Sequence, residues 1–299
     1  MEWLLIWTLV VAIAAAAWLA IGKRMAAGVA VLPLAPRRPT PWNGLDLALI
    51  AVLYIAAQLL FTRIAIATAP SWALAISDMD VNVAVAEARR ENTPLGLAVN
   101  LMSGMAASMT AVVFALLWLK WRSGAAAADF GITTISWRED IRLGAIAFAA
   151  VAAPVYGLQL VLSQFVDERH PIIETLERHP SAGLFALAGL SAVVMAPLVE
   201  EFFFRALLQG WLESARPSVA LSEQTIAAAD DRPRPLAILI SSLIFAALHL
   251  GQGAAPVPLF FLALALGYLY QRTHRLLPCV TVHFCLNVCS FTLLCLSSL

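Results

Sequence analysis

The apolar residues of this chain fall in blocks of roughly 15 to 30, and that length decides what the chain folds into. A helix rises about 1.5 Å per residue, so some 20 apolar residues cross a hydrocarbon core about 30 Å thick. The blocks are Trp3–Gly22, Leu45–Ala69, Leu95–Leu119, Leu143–Val166, Ser181–Leu212, Leu236–Leu250, Pro256–Tyr270 and Leu277–Ser298. Lipid offers no partner to backbone N–H and C=O groups, which favours helices that satisfy their own. The expected fold class is all-α, a polytopic transmembrane bundle of about eight spans. Composition agrees: the 299 residues are 61% hydrophobic and 13% charged, with mean hydropathy +0.83. Soluble domains are about half apolar and about a quarter charged. The fifth block is too long for a perpendicular crossing, so it tilts or projects. The sixth and seventh are short and joined by GQGAAP, a tight turn.

Basic residues set the orientation. With the amino terminus outside, 13 of the 19 Lys and Arg fall in inside loops and 4 in outside loops, while Arg63 and Arg205 lie within spans. The positive-inside rule then places both termini outside. The zero net charge conceals this asymmetry and gives no sign of a nucleic-acid partner. At the amino terminus, Glu2 precedes the apolar run and the basic residues follow it, the reverse of a cleaved signal. It reads as a retained first span.

All four cysteines, Cys279, Cys285, Cys289 and Cys295, share the last span without CxxC spacing. They imply neither a disulfide framework nor a zinc knuckle and read as small apolar packers. Cys295 is fifth from the end, so LCLSSL is not a prenylation box. Between the spans, Met25–Gly44 reads as a cytoplasmic linker, Ser77–Pro94 and Asp167–Pro180 as polar outside loops, and Ala215–Pro235 as a mobile inside loop. No segment outside the membrane is long enough for another folded domain, so any chemistry must come from the spans.

Ionisable groups within spans are costly and normally face a bundle interior or a water cavity. The polar positions that stand out are Glu200, Glu201 and Arg205 in the fifth block, His249 in the sixth, and His283 with Asn287 in the eighth. Measured at about 1.5 Å per residue from the inside ends, Glu200, His249, His283 and Asn287 lie roughly 18, 20, 9 and 15 Å deep. Polar groups from three helices thus converge in one band. Taken singly, each is equally an ion pair or a glue between helices; together they point to one shared site.

Helical spacing divides the roles. Glu201 and Arg205 stand at i and i+4, the favourable order for an ion pair. Glu200 points about 100° away and is the better candidate for a general base. Pro197, one turn earlier, removes a backbone donor and is expected to kink the helix. His283 and Asn287, again at i and i+4, are neighbouring donors suited to an oxyanion. Phe245 and His249 repeat the spacing in the sixth block, and His249 would help Glu200 hold a water.

The ordered set EExxxR (Glu200, Glu201, Arg205), FxxxH (Phe245, His249) and HxxxN (His283, Asn287) resembles the CAAX prenyl protease type II and bacteriocin-processing (CPBP, or Abi) family of intramembrane proteases. The likeness covers roughly the last 120 residues, dividing the chain into 1–142 without recognised motif and 143–299 as a protease-like core. It implies an intramembrane endopeptidase opening to the cytoplasm and acting on a membrane-associated peptide. Glu200 and His249 would match the water-activating pair, His283 and Asn287 the oxyanion donors, and Glu201 and Arg205 supporting positions. The loop before the third motif, RTHRLLP, keeps Pro278 but adds His274 and Arg275; His274 is expected to face headgroups and receives no role. No HExxH is present. Metal-free glutamate catalysis is the expectation, with a zinc site of Glu200, His249 and His283 as its alternative. A competing class is a transporter or immunity scaffold that uses the same cluster for binding, but the first half lacks a matching set of interrupted spans.

Overall fold

The computed structural model describes residues 2–35, 39–76, 81–90, 92–166, 171–214 and 233–297. Among these, all regular structure is helical. The elements are α1 (Glu2–Ala26), α2 (Gly44–Ile76), α3 (Val81–Ala88), α4 (Pro94–Ser123), α5 (Trp137–Leu162), α6 (Pro171–Arg178), α7 (Ala182–Ser214), α8 (Pro235–Ala247), α9 (Pro256–Thr273) and α10 (Leu276–Ser297). Each apolar block coincides with a helix, the largest differences being α2, which runs seven residues past its block, and α5, which starts six residues before its own. Among the described residues, five helical stretches are long and apolar enough to cross a membrane: Gly44–Ala69, Pro94–Ser123, Trp137–Leu162, Ala182–Ser214 and Leu276–Leu296. The chain is an integral membrane protein.

Two segments expected to be loops contain helices, α3 and α6. Both are short, α6 is half polar, and each is held by tertiary burial: Ala84 and Ala88 in α3, Thr175 and Leu176 in α6. The flanking 77–80, 91 and 167–170 lie outside the described residues, as does 215–232, most of the expected inside loop. The GQGAAP turn is formed, with Gly251 at φ 96° and Gly253 at φ 56°, conformations that side chains with a Cβ rarely adopt.

The chain folds as two compact units. The first comprises Met1–Pro41, Ala126–Glu168 and Glu201–Leu286. Within it α1 packs on α5, and α9 packs on both α5 and α8. The Trp18 indole N–H donates to the Ala150 carbonyl at 2.9 Å, and Tyr156 Oη donates to the Leu286 carbonyl at 2.7 Å. Gly144 lets α5 approach the start of α10: a Cβ there would lie 2.5 Å from Thr281 Cβ and 2.7 Å from the Pro278 carbonyl oxygen. The proline-rich linker is tied down rather than free. Ala35 N donates to the Arg272 carbonyl at 2.8 Å, and Thr40 N to Ser214 Oγ at 3.0 Å.

The second unit comprises Trp42–Ala125, Arg169–Glu200 and Asn287–Leu299. Its centre is the pairing of α2 with α4. Ala107, Ala111, Ala115 and Leu119 recur every fourth residue of α4 with no exposure, a seam of small side chains that lets helices pack closely. Asp46 at the start of α2 accepts from the Trp118 indole at 3.0 Å and pairs with Arg122 at the end of α4. Midway, Gln58 and Thr62 of α2 both bond to Ser103 Oγ, at 3.3 and 3.2 Å. Thr93 caps α4 by accepting from Gly96 N, with Pro94 in the first turn, where its missing N–H costs nothing.

Candidate active site

The helix that carries both adjacent glutamates changes its winding along its length. In α7, Leu190–Met195 and Phe202–Gln209 are π-helical, and the α-helical stretch Ala196–Glu201 lies between them. Ala196 N reaches back five residues to the Ser191 carbonyl. The sequence predicts a kink at Pro197; the wider turn just ahead of it is how the chain accommodates a residue without an N–H and with a bulky ring. Such π stretches recur at functional sites.

From Glu201 onward, the site builds up inside the first unit. Glu201 and Arg205 are both fully buried, and Arg205 Nε donates to Glu201 Oε2 at 3.0 Å. The other carboxylate oxygen, Oε1, lies 2.9 Å from His283 Nδ1. One carboxylate therefore holds a guanidinium from its own helix and an imidazole from α10. The first contact follows from i,i+4 spacing. The second joins residues 82 apart in sequence, which no local pattern reveals, and it gives Glu201 a task beyond balancing Arg205. Burial of an ion pair is tolerable only when its remaining valences are met. Here Arg205 Nη1 donates to Ser241 Oγ at 3.3 Å, while Nη2 has no hydrogen-bond partner among the described residues.

Phe245, fully buried on α8, is the apolar centre. Its ring lies 4.8 Å from that of His249, 6.1 Å from that of His283 and 5.1 Å from that of Phe204. The Arg205 guanidinium carbon lies 5.6 Å from the same ring, within range of a cation–π contact. His249 follows the end of α8 in a turn and is half-buried. Its Nδ1 is 2.8 Å from the Phe245 carbonyl. A carbonyl only accepts, so Nδ1 carries the proton, and in a neutral ring the lone pair belongs to Nε2. His283 Nδ1 likewise faces an acceptor, the Glu201 carboxylate that also accepts from Arg205 Nε. Both imidazoles are thus oriented through Nδ1, the arrangement that fixes ring pose and tautomer in catalytic and metal-binding histidines alike.

The remaining candidates belong to the second unit. Glu200 is half-buried at the end of its segment. Asn287 is half-buried and donates from Nδ2 to the Ala192 carbonyl at 2.7 Å, in the first π stretch of α7. The structure therefore gathers Glu201, Arg205, Phe245, His249 and His283 in one unit, and Asn287 with Ala192 in the other. Among the described residues, no three His, Cys, Asp or Glu side chains are grouped to hold a metal ion, and no step below is routed through one. His274, expected to face headgroups, is a half-buried cap of α9 at φ 48°, with its ring 6.0 Å from that of Tyr270. Sequence reasoning missed Ser241, because nothing marks one serine of an apolar helix as a partner for arginine.

Comparison with known proteins agrees with the resemblance that the three motifs carry. Residues 182–289 match the family model of the type II CAAX prenyl endopeptidase Rce1-like proteins, a stretch that contains all seven motif residues. Neither the curated proteins nor the solved structures contain a match. Residues 182–289, about a third of the chain, are similar to the Rce1-like type II CAAX prenyl endopeptidases.

Proposed function

We propose that the protein is an intramembrane endopeptidase that hydrolyses a peptide bond of a membrane-associated substrate with a glutamate-activated water. The observation that supports this best is the buried Glu201–His283 contact. It spends an ion pair on orienting an imidazole, which packing alone does not require. Glu200 takes a proton from water as the oxygen attacks the scissile carbonyl, and His249, its Nδ1 fixed on Phe245, accepts from the same water through Nε2. A tetrahedral oxyanion forms as the carbonyl π pair moves onto oxygen. His283 and Asn287 donate to that oxygen; for Nε2 of His283 to donate, the ring carries both protons, and Glu201 is the anion that offsets the charge. The C–N bond then breaks as Glu200 passes its proton to the departing amine nitrogen, and the acid product gives its remaining hydroxyl proton to Glu200, which releases it to water, leaving a carboxylate.

On this reading all eight apolar helices cross or enter the bilayer, both termini are outside, the site opens to the cytoplasmic side, and 143–299 is the catalytic core behind 1–142. The family description makes a prenylated carboxyl terminus one candidate substrate, alongside other short membrane-anchored peptides. The test is Glu200→Gln in proteoliposomes with a fluorogenic lipidated peptide: cleavage falls to background, and full retention removes the base. In the same assay, chelation by EDTA leaves the wild-type rate unchanged. A loss restored by zinc would overturn the metal-free mechanism.

A further inference from the structure

We infer that Ser241, outside the three motifs, is a positioning residue for this reaction, acting through Arg205 and Glu201 on His283; the inference rests on the proposed peptidase reading. Ser241 lies on α8 one turn before Phe245 and is fully buried. Its hydroxyl has a single proton, which goes to the Phe204 carbonyl at 3.0 Å, inside the second π stretch of α7. That leaves its lone pairs for Arg205 Nη1 at 3.3 Å. Donor and acceptor directions are consistent, and Ser241 is the hydroxyl that fixes the guanidinium on the side away from Glu201.

The chain of contacts has no slack. Arg205 is held by Glu201, Ser241 and the face of Phe245, and Nη2 is already a buried donor without a hydrogen-bond partner among the described residues. Removing the Ser241 acceptor would strand a further N–H in a site with no solvent exposure. A guanidinium in that position turns towards another oxygen, and Nε turns with it, because the group is rigid and planar. The carboxylate that orients His283 Nδ1 would follow. Neighbouring Ser242 supplies a built-in control. It is equally buried, but its Oγ has no hydrogen-bond partner among the described residues.

The experiment is steady-state cleavage of the lipidated peptide by wild type, Ser241→Ala, Ser241→Cys, Ser241→Thr and Ser242→Ala, with thermal stability measured in parallel. Loss of a partner behind a metal-ligating side chain typically costs about 10- to 100-fold, and the lower end of that range sets the scale for a positioning residue behind an imidazole. Ser241→Ala and the near-isosteric Ser241→Cys are expected to lose about tenfold or more in kcat with KM unchanged. Ser241→Thr restores most of it, and Ser242→Ala matches wild type. The inference is overturned if Ser241→Cys keeps kcat within about twofold of wild type, or if its loss appears in KM and thermal stability alone. Should the wild type fail to cleave at all, the peptidase reading itself falls, a separate result.

Discussion

Deleting one charge of the Glu201–Arg205 pair should harm the protein more than deleting both. In Arg205→Met the Glu201 carboxylate stays fully buried with His283 as its remaining protein donor of those described above. In Glu201→Leu the guanidinium is stranded, with Ser241 and the Phe245 ring as its contacts. Breaking a buried pair from either side costs about 3 to 5 kcal/mol. The double variant Glu201→Leu/Arg205→Met leaves no unpaired ion. Its main residual cost is the His283 Nδ1–H without its acceptor, about 1 to 3 kcal/mol for a buried donor. The double variant is therefore expected to be more stable than either single one, with a coupling energy of several kcal/mol, though inactive. Titration with SDS in detergent micelles, followed by tryptophan fluorescence, measures all four corners of the cycle. Costs that add across the two sites would refute a buried, mutually compensating pair, as would a single variant costing under about 1 kcal/mol.

The other prediction concerns packing. Gly144→Ala places a methyl 2.5 Å from Thr281 Cβ, and overpacking of this kind costs about 1 to 3 kcal/mol. A thermal scan should show the loss, whereas Gly157→Ala on the same helix, where an added Cβ meets nothing within 4 Å, should show none.

Some of this molecule could be read from its sequence because the physics is local. A run of apolar residues long enough to cross lipid announces a helix wherever it occurs, and α4 or α5 needed nothing else. The Glu201–Arg205 pair was legible for the same reason, since spacing on a single helix brings the two together. α6 was missed although its signs were present: Pro171 at its start, and Glu174 with Arg178, which pair at 3.1 Å. Short helices of mixed composition look like polar loops until Thr175 and Leu176 are seen to be buried. Glu201 on His283 and Ser241 on Arg205 are contacts between distant segments, invisible to any window. The π stretches were also hidden, because a proline foretells a disturbed helix but not the direction in which it yields.

Those two stretches have a consequence for how α7 tolerates change in length. A turn closed from residue i to i−5 holds one residue more than a turn closed to i−4, so α7 carries two spare residues, one on each side of Ala196–Glu201. A deletion inside Phe202–Gln209 has somewhere to go: the bulge relaxes to ordinary winding and the helix stays intact. What changes is angular. Inside the shortened turn, removing Phe202, Phe203 or Phe204 resets Arg205 from i+4 to i+3 of Glu201 and re-aims its side chain, while residues beyond the relaxed bulge keep their facing. An insertion that created such a bulge would leave the same trace, a helix that is one residue too long at the place where its side chains matter most.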